Sequence, residues 1–144
     1  MALRAKSKLA CAIARLDTLR LNESIHAGFY TCAPETRPGA ARVYEIDQIV
    51  SLRIYGILLA LSLSAERAGH IACAAYSQFN GRDDVSKVVY TNTRAGAWHT
   101  IAIPADGKGN DQPPFAMIFD IADLRKEITA HLEYEDKNRV VGED

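Results

Sequence analysis

A short segment of this chain, predicted to be a helix, contains the residues whose types most clearly suit binding. Four polar residues are predicted to share one exposed side of it: Arg20, Asn22, Glu23 and His26. Such side chains suit contacts to DNA base edges. An arginine can bind guanine through two hydrogen bonds and an asparagine can bind adenine likewise, each worth ~1–3 kcal/mol of discrimination. The helix is predicted to begin at Asp17 or Thr18, since either side-chain oxygen can accept a hydrogen bond from an unpaired amide of the first turn. It should end at about Ala27, where Gly28 favours a left-handed stop.

A second predicted helix lies immediately before this one. Apolar and basic residues over Ala5–Ala14 predict it, and only residues 15–17 separate the two. Two helices joined by so short a turn are typical of a helix-turn-helix. Lys6 and Lys8 could add phosphate contacts from the first helix. The inward side chains of the second helix are predicted to be Leu16, Leu19, Leu21 and Ile25.

A loop rich in Pro, Gly and Arg follows the second helix. Phe29–Cys32 and Arg42–Tyr44 are short alternating segments, and they are predicted to form a two-stranded wing around the loop between them. Thr36, Arg37 and Arg42 would give the wing a cationic tip suited to phosphates or to a minor groove. The loop therefore predicts a second contact surface beside the helix.

Two further helices are predicted to support these elements. Apolar residues recur from Ile46 to Leu61 on two sides of the first, so this helix should lie at the centre of the core or also in a subunit contact. Asp47 in its first turn interacts favourably with the helix dipole. Ser64 is a good N-cap for the second helix.

In their order and spacing, these signals resemble the winged helix-turn-helix of the MerR superfamily over about residues 9–75. The segments that carry the resemblance are Thr18-Leu19-Arg20, Arg42-Val43-Tyr44, Asp47 through Leu52-Arg53, and Leu61 through Ala65. The resemblance implies that Arg20 reaches DNA, that Arg42 contacts the phosphate backbone, and that Tyr44 ties the wing to the domain. The full set of predicted DNA-binding residues is Lys6, Lys8, Thr18, Arg20, Asn22, His26, Arg37, Arg42 and Tyr44.

The chain departs from the MerR pattern at positions that bear on function. Leu21 and Asn22 stand where the family usually has two aromatic residues. No long coiled-coil helix is predicted after Tyr76, so the family's dimerisation arm and its promoter-untwisting mechanism are not expected. Phage and mobile-element excisionases are similar in having this winged domain without the arm. Two alternatives to a transcriptional regulator stay open: an excisionase-like architectural protein, and a protein-interaction module such as an antitoxin or adaptor.

The last 64 residues change their periodicity. Val85–Thr91, Ala97–Ile103 and Phe115–Phe119 are predicted strands, and Asp120 is the predicted N-cap of a final helix. The sequence thus predicts an α+β protein with a MerR-like winged helix-turn-helix over residues 1–80 and a small β-β-β-α unit over residues 81–144. The second part is predicted to mediate dimerisation or to bind a protein partner.

The cysteines and the charges limit the possible classes of function. Three widely spaced cysteines give no disulfide framework and no zinc motif, so Cys11 and Cys73 are interpreted as small buried apolar groups. Cys32 lies in the predicted wing, and a redox role for it stays open. The net charge is −1, but residues 1–44 carry seven Lys or Arg and three acids, a balance of +4. An excess of positive charge in the N-terminal segment suits a protein that binds a polyanion through one surface.

No motif in the sequence indicates catalysis, a cofactor or a metal site. His70, His99 and His131 are spaced unlike metal ligands, and Ser, Cys and His residues form no nucleophile signature. The longest apolar run is shorter than the ~20 residues of a membrane span. The sequence therefore predicts a cytoplasmic, nucleoid-associated regulator of bacterial or phage type, which is not an enzyme. It would bind double-stranded DNA in a sequence-specific way, as a homodimer on symmetric sites.

Overall fold

The computed structural model describes residues 3–36, 38–92, 96–105 and 115–138. Within these ranges the chain forms an α+β fold, as predicted. The elements in chain order are β1 (Arg4–Lys6), α1 (Ser7–Ala14), α2 (Thr18–His26), β2 (Val43–Glu45), α3 (Ile46–Ala60), α4 (Ala65–Phe79), β3 (Val85–Asn92), β4 (Trp98–Pro104), β5 (Ala116–Asp120) and α5 (Ile121–Asn138).

Helix α3 lies at the centre of the core, as its two apolar sides predict. A capping box fixes its start, since the Glu45 amide donates to the Gln48 side chain over 2.8 Å. Helices α1, α4 and α5 pack around it. Its buried residues are Ile49, Val50, Ser51, Leu52, Ile54, Tyr55 and Leu58.

Two helical glycines let the backbone on either side of α2 approach the core closely. A Cβ at Gly56 of α3 would lie 3.3 Å from the Ala14 carbonyl oxygen, so the turn between α1 and α2 rests on α3. A Cβ at Gly69 of α4 would lie 2.1 Å from the Phe29 carbonyl oxygen, a distance that no side chain can occupy. The chain segments before and after α2 are therefore each seated on a different core helix.

The predicted wing is wrong in its strand pairing. Residues 29–32, all of them described, form no strand, and β2 pairs antiparallel with the N-terminal β1 instead. Ala5 and Tyr44 face each other across this pair, and both are buried. The predicted first helix accordingly begins two residues late, at Ser7, because Ala5 belongs to β1.

The three C-terminal strands form one antiparallel sheet in the order β4-β3-β5. Val88 and Tyr90 lie on the face that packs against the helices, where they join the main core. Val89 lies on the other face, in register with Ile101 of β4 and Ile118 of β5. The predicted three strands and final helix are thus observed, and Asp120 accepts from the Asp123 amide over 3.0 Å at the start of α5.

Arg125 of α5 connects the C-terminal strands and helix to the rest of the fold. Its guanidinium donates to both carboxylate oxygens of Asp47, over 2.8 and 3.2 Å. It also donates to the backbone carbonyls of Phe79, Arg82 and Val85. Because planar, two-fold hydrogen bonding to a carboxylate is strong and directional, this one side chain fixes α5 against the start of α3 and the end of α4.

Candidate nucleic-acid interface

Helix α2 is firmly attached along its inner side. Asp17 is its N-cap and accepts from the Arg20 amide over 3.3 Å, which decides between the two predicted caps. Leu21 and Ser24 are buried, and the Ser24 hydroxyl is 2.5 Å from the Tyr55 hydroxyl of α3. A buried hydrogen bond between side chains of two helices fixes their relative rotation. The outer side of α2 is therefore presented in one orientation.

The outer side of α2 carries three of the four polar residues that the sequence assigned to it, Asn22, Glu23 and His26, because the helical repeat of about 100° per residue turns Arg20 away from Asn22. Arg20, Asn22, Glu23 and His26 are all exposed. Residues 19, 22, 23 and 26 are spaced i, i+3, i+4 and i+7, so they form a continuous stripe along the helix. Arg20 lies beside this stripe. The exposure of these four side chains agrees with the prediction, and their binding of DNA stays a prediction.

Leu19 is placed differently from the prediction. It was expected to point inward, yet it is 65% exposed and begins the outer stripe. The reason is the helical repeat of about 100° per residue, which sets a residue two positions before Leu21 on the opposite side. Because Leu21 and Ile25 are one turn apart and point inward, the spacing alone could have excluded Leu19 from the inner side.

Thr18, Lys6 and Lys8 are the predicted contact residues that precede Arg20 in the chain. Thr18 is half-buried and forms a side-chain hydrogen bond with Cys11. Burial raises the pKa of the Cys11 thiol, and this hydrogen bond opposes the rise. Thr18 thus faces the interior of the helix pair. Lys6 and Lys8 are exposed, immediately before α1 and in its first turn.

The loop between α2 and β2 is held by its own side chains. Arg42 is half-buried, and its guanidinium donates to the Pro34 carbonyl, so it braces the two ends of the loop. Arg37, a predicted contact residue, lies outside the described residues. Thr36 is exposed. Arg42 therefore shapes this surface directly, and its other N–H groups can contact a phosphate while Nη1 stays bonded to the Pro34 carbonyl.

Tyr44 is a core residue. It is 1% exposed in β2, and burial raises its pKa to about 12. A side chain in this position can influence DNA only by positioning the loop that precedes it. The anchoring role that the resemblance implies for Tyr44 stays a prediction, since β2 pairs with β1 and forms no wing with residues 29–32.

Cys32 and Cys73 form a disulfide, which corrects the sequence analysis. Cys73 was interpreted as a free buried thiol, but it joins α4 to the segment that follows α2. The Cys32 amide also donates to the Cys73 sulfur over 3.2 Å. Beside this bridge, the buried Tyr30 hydroxyl donates to Ser51 over 2.7 Å. The 41-residue separation has no recognisable spacing, so only the fold could bring this pair together. Cys11 is a free buried cysteine, as predicted.

A cleft beside α2 adds two side chains that the sequence did not assign to the interface. It is lined by residues 27–29 and Thr31 at the end of α2 and by the first turns of α4, including Arg67 and His70. Both side chains are exposed and lie one turn apart on the same side of α4. The i, i+3 spacing of Arg67 and His70 was visible in the sequence. That these two side chains lie close to α2 depends on the close contact between α4 and the segment after α2 at Gly69.

Comparison with protein-family models and with curated proteins gives no match to this chain. Within the described ranges, no three His, Cys, Asp or Glu side chains are grouped so that they could hold a metal ion. Likewise, no described helix has both the length and the hydropathy that crossing a membrane would need.

Proposed function

We propose that this protein binds double-stranded DNA in a sequence-specific way and regulates transcription, with α2 in the major groove. The observation that carries the proposal is the contrast between the two sides of α2. The inner side is fixed by Leu21 and by the Ser24–Tyr55 hydrogen bond, whereas the outer side presents Asn22, Glu23 and His26 to solvent, with Arg20 exposed at its edge.

The dimensions of α2 support this placement. An α-helix with its side chains is ~10–12 Å across, which fits the ~12 Å width of the major groove. In helix-turn-helix proteins the first residues of the recognition helix contact base edges. Here Asn22 lies in the second turn on the outer side, where it can bind adenine, and Arg20 lies in the first turn at the edge of that side, where it can reach guanine.

Phosphate contacts would come from side chains on both sides of α2. Lys6 and Lys8 flank the start of α1, while Arg67 and His70 lie across the cleft at the end of α2. With about four to six such contacts, log K should fall with log[salt] with a slope of roughly −4 to −5. The acidic Glu23 on the outer stripe opposes unspecific binding and can accept from a cytosine amino group.

We further propose a homodimer, with the outer face of the C-terminal sheet as its contact. Ile101 is 43% exposed and Ile118 is 60% exposed, on opposite sides of Val89 in the same cross-strand row. A two-fold axis parallel to this row and above the face would pack the row against its own copy, as a closed dimer requires. Three strands at ~4.8 Å spacing present roughly 300 Å² per copy, well below the ~800 Å² of a stable partner surface. The dimer should therefore be weak in solution and form mainly on DNA with two half-sites.

A protein-interaction module is the second candidate function, and Leu19 is the observation that favours it. A leucine 65% exposed beside Glu23 is also suited to an apolar protein surface. In this alternative α2 would still be the contact element, but its ligand would be a polypeptide.

Affinity selection from a random duplex library, followed by sequencing, distinguishes these candidates. The proposal predicts enrichment of an inverted repeat at low salt, because two copies related by two-fold symmetry read two half-sites. Selection with Arg20→Ala should alter the enriched sequence, whereas selection with Lys126→Ala on the exposed side of α5 should reproduce it. Clustered direct repeats would indicate the excisionase-like alternative. The absence of any enriched duplex would reject DNA binding in favour of the interaction module.

A further inference from the structure

Leu19 is one of the large apolar side chains that are exposed in the described part of the chain. It lies in the first turn of α2 and is 65% exposed, while the helix buries Leu21 and Ser24 on its other side. It also begins the stripe that continues through Asn22, Glu23 and His26. Single exposed apolar residues are common on protein surfaces, so what distinguishes Leu19 is its place beside Asn22 and Glu23 on the outer side of α2.

The major groove contains one apolar group that a leucine can recognise. Thymine alone among the four bases carries a C5-methyl group there, and apolar side chains contact it in protein–DNA complexes. The neighbours of Leu19 suit the other base edges: Asn22 can bind adenine and Glu23 can accept from cytosine. The four outer residues thus differ in chemistry in the way that a series of different base pairs would require.

We infer that Leu19 is a specificity-determining residue that contacts a thymine methyl group, so that each half-site contains a thymine at the position facing the N-terminal turn of α2. The inference rests on the proposed function and assigns a ligand chemistry to one side chain. Asn22, one turn further along the same stripe, would then read a neighbouring base pair. Burying the methyl group against Leu19 removes about one CH₂ equivalent from water, which corresponds to about a fourfold change in affinity.

Replacing thymine by uracil tests this contact, because the substitution removes only the methyl group and keeps base pairing. The probe is the duplex enriched by selection, synthesised with a single deoxyuridine in place of each thymidine in turn. Wild-type protein should bind about fourfold more weakly when one particular thymine per half-site is replaced. The Leu19→Ala variant should bind the unmodified duplex more weakly and be insensitive to uracil at that position.

The chain provides a matched control in Leu61, which is 62% exposed at the end of α3. Leu61→Ala removes an equally exposed leucine, so it should leave both the affinity and the uracil effect unchanged. Far-ultraviolet circular dichroism of both variants shows whether they are folded. If wild type binds the duplex and no uracil substitution weakens binding, or if Leu19→Ala keeps the uracil effect, the inference is wrong while DNA binding stands. If wild type binds no duplex, both the proposed function and the inference are overturned.

Discussion

Helix α2 and the C-terminal sheet are attached to the rest of the fold by different kinds of interaction. On both sides of α2 the backbone is seated directly on core helices, at Gly56 and Gly69, and the disulfide closes the segment that follows. The C-terminal strands and α5 share the apolar core, but their polar connection to the rest depends largely on the guanidinium of Arg125. Close backbone contact and a covalent bond leave α2 little freedom to move. The charged groups of a partly exposed ion pair, in contrast, can exchange their hydrogen bonds to each other for hydrogen bonds to water.

This difference suits the roles that we propose for the two regions. A DNA-reading helix loses affinity when its orientation varies, because each base contact depends on exact hydrogen-bond geometry. A dimer face can tolerate more adjustment, since apolar contacts are less directional. We therefore expect the backbone crossing at Gly69 and the disulfide to contribute more to stability than the Arg125 ion pair, and the single Ser24–Tyr55 hydrogen bond to contribute least.

Gly69→Ala should have the largest effect. The added Cβ would lie 2.1 Å from the Phe29 carbonyl oxygen, and the neighbouring atoms are backbone, so the crossing of α4 and the post-α2 segment must separate. We expect a loss of about 4 kcal/mol or more in the free energy of unfolding, measured by urea denaturation.

Gly56→Ala is the matched control for that substitution. Its Cβ would lie 3.3 Å from the Ala14 carbonyl oxygen, a contact that a small shift relieves. Alanine also favours a helix interior by ~1 kcal/mol over glycine. The two effects should nearly cancel. Equal destabilisation by both substitutions would show that the crossing at Gly69 is looser than described.

Reduction of the Cys32–Cys73 disulfide should have the next largest effect. A cross-link across 41 residues restricts the unfolded chain by about 3–4 kcal/mol in the chain-entropy description. The melting temperature should therefore fall in dithiothreitol. The double variant Cys32→Ala/Cys73→Ala should melt at a lower temperature than the oxidised wild type and show no further change with reductant. If dithiothreitol has no effect on the oxidised protein, the bridge does not hold this segment.

Arg125→Met should destabilise the protein by about 2–3 kcal/mol. The substitution removes five hydrogen bonds and leaves Asp47 half-buried without its cation, and partial exposure of both side chains reduces the effect below that of a fully buried pair. Amide hydrogen exchange should accelerate more in β3 than in α2. Lys126→Met, at an exposed neighbouring position of α5, is the control and should be nearly neutral. If amide hydrogen exchange accelerates equally in β3 and in α2, the two regions are not attached separately.

Ser24→Ala should have the smallest effect, about 1–2 kcal/mol, because it leaves the buried Tyr55 hydroxyl without its partner. Adding Tyr55→Phe to this variant should recover part of the loss, since no unpaired hydroxyl then remains. If the double variant is as unstable as the sum of the two single variants, the hydroxyls do not interact.

The sequence predicted the helices better than the contacts between them. Asp17, Ser64 and Asp120 act locally as helix caps, so their chemistry is visible in a few neighbouring residues. The long apolar pattern of α3 likewise predicted a central helix. The partner of β2 could not be read from Phe29–Cys32, because that segment alternates like a strand but is fixed instead by Tyr30 and the disulfide.

The candidate interface was predicted in part for the same reason. Exposure of Arg20, Asn22 and His26 follows from helical spacing within α2, which is a local property. The positions of Arg67 and His70 beside α2 depend on a long-range crossing of backbone at Gly69, which no local pattern contains. The wrong placement of Leu19 could have been avoided from the sequence, because the helical repeat within α2 already puts Leu19 opposite Leu21.

The central claim is that the outer side of α2 reads double-stranded DNA. Fluorescence anisotropy with the selected duplex, at several salt concentrations, tests it most directly by comparing wild type, Asn22→Ala and Lys126→Ala. Loss of a two-fold hydrogen-bonded base contact is worth ~1–3 kcal/mol, so Asn22→Ala should weaken binding about tenfold or more while the salt slope stays the same. Lys126→Ala should bind like wild type. Equal affinity of all three proteins would contradict the claim that α2 lies in the major groove.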